Sequence, residues 1–110
     1  MQPVRDALSP LPFDGFNGIP FVRSCVEQLV VPGTLGVYVL YKNPGRFPLW
    51  VFVGKGYIRA HLLAHLSGNA RSITREAPTH FSFEEIREIG RVEEREQELI
   101  AELKPICNVV

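Results

Sequence analysis

Two apolar runs decide how this chain folds: G-V-Y-V-L-Y at residues 36–41 and L-W-V-F-V-G at residues 49–54. Both runs are rich in β-branched and aromatic residues, and the segment between them contains Asn43, Pro44 and Gly45. Proline followed by glycine at the centre of a turn is typical of a type II turn. The two runs therefore predict the arms of a β-hairpin, and both arms are apolar enough to be buried on two faces.

Helices and one more strand are predicted on either side of the hairpin. In chain order, the other expected elements are a short helix from Pro20 to about Leu29, a helix at 57–68, a polar loop at 69–79, a strand at 79–86 and a C-terminal helix that stops before Pro105. This order predicts an α+β fold with a small, mostly antiparallel three-stranded sheet flanked by helices. Residues 1–33 are expected to form an N-terminal extension, and residues 34–110 the main domain.

The bulk composition predicts one ordinary domain. A chain of 110 residues with 45% hydrophobic content is large enough for a single core. Cys25 and Cys107 lie far apart in the sequence, which favours free thiols in a reducing compartment over a disulfide framework. With no long apolar run and no basic-then-apolar leader, we expect a cytoplasmic protein without a membrane partner.

Charge is segregated along the chain although the net charge is zero. Residues 55–80 hold one acid, Glu76, against four basic residues, which are Lys55, Arg59, Arg71 and Arg75. Residues 84–102 hold eight acids against three arginines. A basic surface could therefore meet a polyanion, with these four cations as the nucleic-acid contacts, while the acidic helix faces away. Ordinary segregation of surface charge explains the same pattern equally well.

The predicted C-terminal helix carries a glutamate on its apolar face. The apolar stripe of this helix consists of Val92, Leu99, Ile100 and Leu103. At about 100° per residue, Glu96 projects about 40° from Val92, near the middle of the stripe. An ionised carboxylate that faces a core costs several kcal/mol unless a partner compensates its charge. A functional cation is one explanation, and a structural ion pair with Arg59 or a histidine is another.

Four short motifs follow one another in the order found in a known nuclease family. They are G-V-Y at 36–38, F-V-G-K at 52–55, I-R-A-H-L-L-A-H-L at 58–66 and the pattern E-x-x-L-I-x-x-x-K-P-x-x-N from Glu96 to Asn108. Each motif is weak alone, but their common order and register are specific. Over residues 34–110 the chain resembles the GIY-YIG nuclease family, and most of all its members in bacterial DNA excision repair.

The resemblance implies an endonuclease that hydrolyses a phosphodiester of nucleic acid, DNA more than RNA. The family uses one metal ion held by a single helical glutamate, which corresponds to Glu96 and implies one Mg²⁺ or Mn²⁺ ion as cofactor. Tyr38 corresponds to the tyrosine that positions or deprotonates the attacking water, and Lys55 to a lysine that follows the second motif. The positions expected to support the site are Gly36, Phe52, Gly54, His65 and Asn108.

Two departures from the family pattern concern the chemistry. Phe52 stands where the second motif has a tyrosine, so a hydroxyl near the phosphate is missing. Allowing for a one-residue deletion, the position of the catalytic arginine holds His61, and Arg59 points to roughly the opposite side of the helix. Losing one transition-state donor typically costs on the order of 10²–10³ in rate. We therefore expect a weak nuclease whose specificity comes from a homodimer or a partner subunit. The alternative is a degenerate domain that binds nucleic acid or protein.

From the residues alone, other interpretations stay open. Tyr38 in a buried strand is more often a core residue than a catalyst, and Lys55 beside a glycine is more often a solvated loop residue. His61 and His65 lie one helical turn apart and point the same way, so with His80 they are candidate zinc ligands. The spacing H-x-x-x-H without an intervening glutamate is a weak signal for such a site.

Overall fold

The two arms of the predicted hairpin form an antiparallel pair of strands in the structure. A computed structural model describes residues 18–42 and 47–108. Its elements are β1 (Ile19–Pro20), α1 (Arg23–Leu29), β2 (Leu35–Lys42), β3 (Leu49–Tyr57), α2 (Ile58–Leu66), α3 (Arg71–Glu76), β4 (His80–Glu85) and α4 (Ile89–Leu103). The type II turn predicted at residues 43–45 falls outside the described residues.

The strands form one antiparallel sheet in the order β1-β4-β2-β3. Strand β2 lies between β4 and β3, and its residues from Gly36 to Tyr41 are all buried. The predicted α+β class with a small antiparallel sheet is confirmed, but the prediction of three strands was one too few. The additional strand, β1, has two residues, which is too short for an alternating pattern to reveal it.

Two apolar clusters, one on each face of the sheet, form the core. The first cluster joins the sheet to α1, α2 and α3, and its members include Val26, Tyr38, Leu40, Ile58, Leu62, Ile73 and Phe81. The second cluster joins the sheet to α4 and consists of Val37, Val39, Tyr41, Val53, Val92 and Leu99. Because helices cover both faces, β2 appears in the sequence as a continuous apolar run. None of the helices described is long and apolar enough to span a membrane.

A β-bulge in β3 decides which of its side chains face α2. The pairing between β2 and β3 shifts after Leu40, which leaves Val51 as an extra residue in β3. Because an extra residue interrupts the alternation of a strand, Val51 and Phe52 both face the first cluster. The bulge thereby places the ring of Phe52 beside that of Tyr38, with centroids 6.2 Å apart.

The first helix begins later than the sequence predicts. Pro20 pairs with β4 instead of opening the helix, and the extended Val22 precedes the first helical residue. This shift changes which positions of the helix face the core. Val22 and Leu29 are about half exposed, whereas Val26 is fully buried.

The polar loop predicted at residues 69–79 contains the helix α3. Ile73 is its one buried residue and packs into the first cluster. A single apolar residue among polar neighbours produces no helical periodicity, so the pattern could not reveal this helix. The helix ends at Glu76 and is capped by Ala77, whose φ of 51° lies in the left-handed region.

Candidate active site

The side chain of Tyr38 reaches across β3 to α2. It is almost fully buried, and its ring occupies the space that a Cβ at Gly54 would need. Position 54 must therefore be glycine for this ring to pass. The Tyr38 hydroxyl lies 2.8 Å from Nε2 of His65, and the ring of Phe52 lies against the same imidazole with centroids 5.4 Å apart.

The surroundings of His65 favour its neutral form. Burial, and then the charge of His61, lower the pKa of His65, and the side chain of Asn69 only partly opposes this shift. Nδ1 of His65 is buried and has no hydrogen-bond partner in the described part of the chain. Burial, followed by the charge of Glu96, raises the pKa of Tyr38 and keeps its hydroxyl protonated. We therefore assign the hydroxyl as the donor and Nε2 as the acceptor.

His61 stands next to the point where β3 turns into α2. The φ of Gly56 is 119°, a backbone conformation that glycine favours. A Cβ at this glycine would lie 2.8 Å from Nε2 of His61, so its absence leaves room for the imidazole. The His61 ring also lies near that of Tyr38, with centroids 6.2 Å apart, while His61 itself is exposed to solvent.

Glu96 is paired with Lys55. Its side chain is 12% exposed, and Oε1 accepts a hydrogen bond of 3.0 Å from Nζ of Lys55, whose side chain is 42% exposed. The hydrogen bond and the charge of Glu96 raise the pKa of Lys55. Among the described residues, no group donates a hydrogen bond to Oε2 of Glu96. The carboxylate on the apolar stripe thus meets a lysine from β3, and the alternative pair with Arg59 or a histidine does not form.

Two contacting pairs therefore lie on opposite faces of β3. Tyr38 and His65 occupy the face covered by α2, while Lys55 and Glu96 occupy the face covered by α4. Within the described segments, no hydrogen bond joins one pair to the other, but the charge of Glu96 reaches Tyr38 and helps to raise its pKa. This end of the edge strand brings together a hydroxyl, a proton acceptor, a cation and a carboxylate.

The supporting positions hold the strands in place. Asn108 uses both ends of its amide, because Oδ1 accepts from the Val53 amide at 2.7 Å and Nδ2 donates to the Val53 carbonyl at 2.9 Å. These bonds fix the C-terminal segment to β3 one residue before Gly54. A Cβ at Gly36 would collide with the carbonyl of Glu84. The absence of a side chain at Gly36 therefore lets β4 approach β2 closely.

The three candidate arginines are separate from these two pairs. Arg59 lies in the first turn of α2 and is partly buried, whereas Arg71 and Arg75 are exposed one turn apart on α3. Across residues 18–42 and 47–108, no acidic side chain forms a salt bridge with any of the three. Within those residues, no carboxylate neutralises their positive charges.

The three histidines do not form the zinc cluster considered above. Nε2 of His65 bonds the Tyr38 hydroxyl, and the ring of His80 lies against that of Tyr41. In the described residues, no group of three histidine, cysteine, aspartate or glutamate side chains is placed to hold a metal ion. A cation at this site would depend on fewer protein ligands.

Tyr57 is a residue that the sequence motifs do not single out. Its side chain is 59% exposed at the junction of β3 and α2, between Lys55 and Arg59. The alternation of cation, aromatic and cation in K-G-Y-I-R was the available signal. The family motifs do not draw attention to this pattern, because Tyr57 lies between two of them and belongs to neither.

Comparisons with known proteins agree with this architecture. No protein-family model and no curated protein matches the chain. A point mutant of the GIY-YIG N-terminal endonuclease domain of UvrC from Thermotoga maritima, bound to its catalytic divalent cation, superposes with a TM-score of 0.64 at 24% identity. That match covers 79% of this chain and 94% of the UvrC domain. A second point mutant of the same domain gives a TM-score of 0.62 at 22% identity and covers 77% of this chain and 96% of the other. The chain therefore has the GIY-YIG fold, as its motifs predict.

Proposed function

We propose that this chain is a GIY-YIG-type endonuclease that hydrolyses phosphodiester bonds of nucleic acid, DNA in preference to RNA. The observation that carries the proposal is the Glu96 carboxylate, which is 12% exposed and meets Lys55 at the end of β3. A salt bridge with one exposed partner contributes little stability, so stability alone does not account for a carboxylate on an apolar helix face, which favours a functional role. The nearby pair of Tyr38 and His65 supports the same conclusion.

Glu96 has the properties of a ligand for one Mg²⁺ or Mn²⁺ ion. Its carboxylate offers the hard oxygen ligand that such ions prefer, and Oε2 accepts no hydrogen bond from the described residues. The UvrC domains with this fold are bound to a catalytic divalent cation. When bound, such a cation supplies positive charge that offsets the charge developing on the phosphate and the leaving oxygen.

The residues of this chain can activate water and hold the phosphate. The attacking water gives a proton to the oxygen of Tyr38 while the Tyr38 proton moves to Nε2 of His65. The water oxygen then bonds to phosphorus, and the bond from phosphorus to the leaving oxygen breaks. Lys55 and His61 donate hydrogen bonds to phosphate oxygens, although His61 grips them less firmly than an arginine would.

Nicking of supercoiled plasmid in Mg²⁺ or Mn²⁺ tests the proposal. We expect the wild-type protein to nick and Glu96→Gln to lose this activity, because a neutral amide binds the cation far more weakly than a carboxylate does. Glu94→Gln is the matched control, since Glu94 lies on the same helix and its side chain is 64% exposed. Equal nicking by the wild type and Glu96→Gln would contradict the mechanism.

The alternative is a degenerate GIY-YIG domain that binds nucleic acid or protein without cleaving it. Two substitutions favour it: Phe52 lacks the hydroxyl of the family tyrosine, and His61 replaces the family arginine. Binding that weakens steeply with salt, in the absence of metal-dependent cleavage of plasmid, branched DNA or RNA, would support this alternative.

We propose that residues 34–110 form the nuclease domain and residues 1–33 an extension. In the described part of that extension, Val26 and Val30 pack into the first cluster, which favours a supporting role for the extension.

We further propose that a homodimer or a partner subunit supplies specificity. The free cysteines Cys25 and Cys107 suit a cytoplasmic setting.

A further inference from the structure

An apolar groove adjoins the pair of Lys55 and Glu96. It has a volume of about 370 Å³ and is lined by Leu35, Lys55, Gly56, Tyr57, Ile89, Val92 and Glu93. Its two most exposed apolar side chains are Tyr57 (59%) and Ile89 (78%). Large apolar side chains that are exposed singly are ordinary, but two that line one groove point to a ligand. The groove lies between the end of β3 and the first turn of α4.

The charges beside the groove suit a polyanion on one side only. Lys55 and Arg59 stand on either side of Tyr57 in the sequence, and Tyr57 also lines a second depression that includes Arg59. Glu93 lines the α4 side of the groove and repels phosphate there. A nucleic acid strand would therefore place its backbone along the two cations and direct a base towards Tyr57 and Ile89.

The groove is continuous with the proposed catalytic residues. Lys55 lines the groove and also donates to Glu96. Gly56 forms part of the groove wall on one side and lies against the His61 imidazole on the other. A phosphate held by Lys55 and His61 would thus have a neighbouring nucleoside beside the exposed ring of Tyr57.

We propose that this groove is a subsite for one unpaired nucleobase next to the scissile phosphate, with Tyr57 as its stacking platform. This inference rests on the proposed function and specifies its substrate class. Stacking on an aromatic side chain needs the face of a base, which a paired duplex buries between neighbouring base pairs. The substrates are therefore single strands, or duplexes with an unpaired nucleotide at the cleavage site.

Base-dependent binding in EDTA tests the subsite without relying on cleavage. The probes are a fluorescein-labelled dT strand of about twelve nucleotides and an abasic strand of equal length, which carry the same backbone charge. Fluorescence anisotropy gives the Kd for each probe with the wild type, Tyr57→Ala and Tyr57→Phe. Val31→Ala is the surface control, because Val31 is 68% exposed and lies outside the groove. Circular dichroism confirms that each variant is folded.

We expect the wild type, Tyr57→Phe and Val31→Ala to prefer dT over the abasic strand by roughly five- to a hundredfold, and Tyr57→Ala to lose most of this preference. Equal affinity of the wild type for both probes would overturn the subsite, and so would an unchanged preference in Tyr57→Ala or no binding of either probe. The plasmid assay reports separately on the catalytic proposal. Metal-dependent nicking without a base preference would reject the groove alone, whereas a base preference without metal-dependent cleavage of plasmid, branched DNA or RNA would reject only catalysis.

Discussion

Nζ of Lys55 and Oε1 of Glu96 lie 3.0 Å apart and join the edge strand β3 to the helix α4. The ammonium group occupies one oxygen of the carboxylate that would hold a divalent cation, so the two positive charges compete for Glu96. Because phosphate also attracts Lys55, substrate and metal would act together in opening this pair. The contact therefore connects metal binding to the loss of a salt bridge.

Lys55→Met is expected to strengthen binding of Mn²⁺ to the protein without nucleic acid. The gain should be a fewfold, since a salt bridge with one exposed partner is worth only about 0–1 kcal/mol. Titration calorimetry or Mn²⁺ electron paramagnetic resonance measures this affinity. Glu96→Gln, which lacks the carboxylate, gives the background signal. Unchanged or weaker Mn²⁺ binding in Lys55→Met would argue against competition.

His61→Arg is expected to raise the rate of nicking by about tenfold or more. Arginine is permanently charged and offers a planar fork of donors to phosphate, whereas histidine offers one donor at a time. His61 is exposed beside Gly56, so the longer side chain has space. Single-turnover nicking measures the rate, and the double variant with Glu96→Gln should stay inactive. A slower or unchanged rate would show that His61 does not occupy the position of the family arginine.

Gly54→Ala is expected to destabilise the protein by about 1–3 kcal/mol, because a methyl group would collide with the buried ring of Tyr38. Gly90→Ala is the matched control: Gly90 lies in α4, and a Cβ added there would meet no atom within 4 Å among the described residues. Alanine there should stabilise the helix by about 0.5–1 kcal/mol. Urea unfolding gives both free energies, and equal effects at the two glycines would contradict the role assigned to Gly54.

The main elements of the fold could be predicted because each carries its own periodicity. The two arms of the hairpin are long apolar runs, and α4 has a clear stripe that includes Val92 and Leu99. Strand β1 and helix α3 could not be predicted, since their stability comes from tertiary contacts. Pro20 is held by pairing with β4, and Ile73 is a lone apolar residue that contributes to a core formed by other elements.

The candidate site, too, could be predicted from the sequence only in part. Helical phase alone indicates that Glu96 faces the sheet. Its partner depends on which residues of β3 face α4, and the β-bulge at Val51 sets that alternation. For the same reason the sequence could place His61 and His65 on one side of a helix, but it could not show that His65 accepts a hydrogen bond from the hydroxyl of Tyr38.

The pH dependence of stability should report on His65. Its pKa in the folded protein is lowered by burial and by the charge of His61. The imidazole of the unfolded chain, with a pKa of about 6.5, therefore takes up a proton at a higher pH than the imidazole of the folded protein. The free energy of unfolding then falls as the pH falls through this value, and the loss ends below the pKa of the folded state. At neutral pH His65 imposes little of this loss, because its imidazole is mostly unprotonated in both states.

His65→Gln should remove this contribution and flatten the decline in stability between about pH 7.5 and pH 5. Glutamine does not titrate in this range, and its amide can still accept a hydrogen bond from the Tyr38 hydroxyl. Urea unfolding across the range gives the slope for the wild type, His65→Gln and the control His80→Gln, which removes a histidine from β4. If His65→Gln and the wild type lose stability in parallel, His65 is not held neutral by its surroundings. The transfer of the Tyr38 proton to Nε2 would then lose its physical basis, because that transfer requires an unprotonated imidazole.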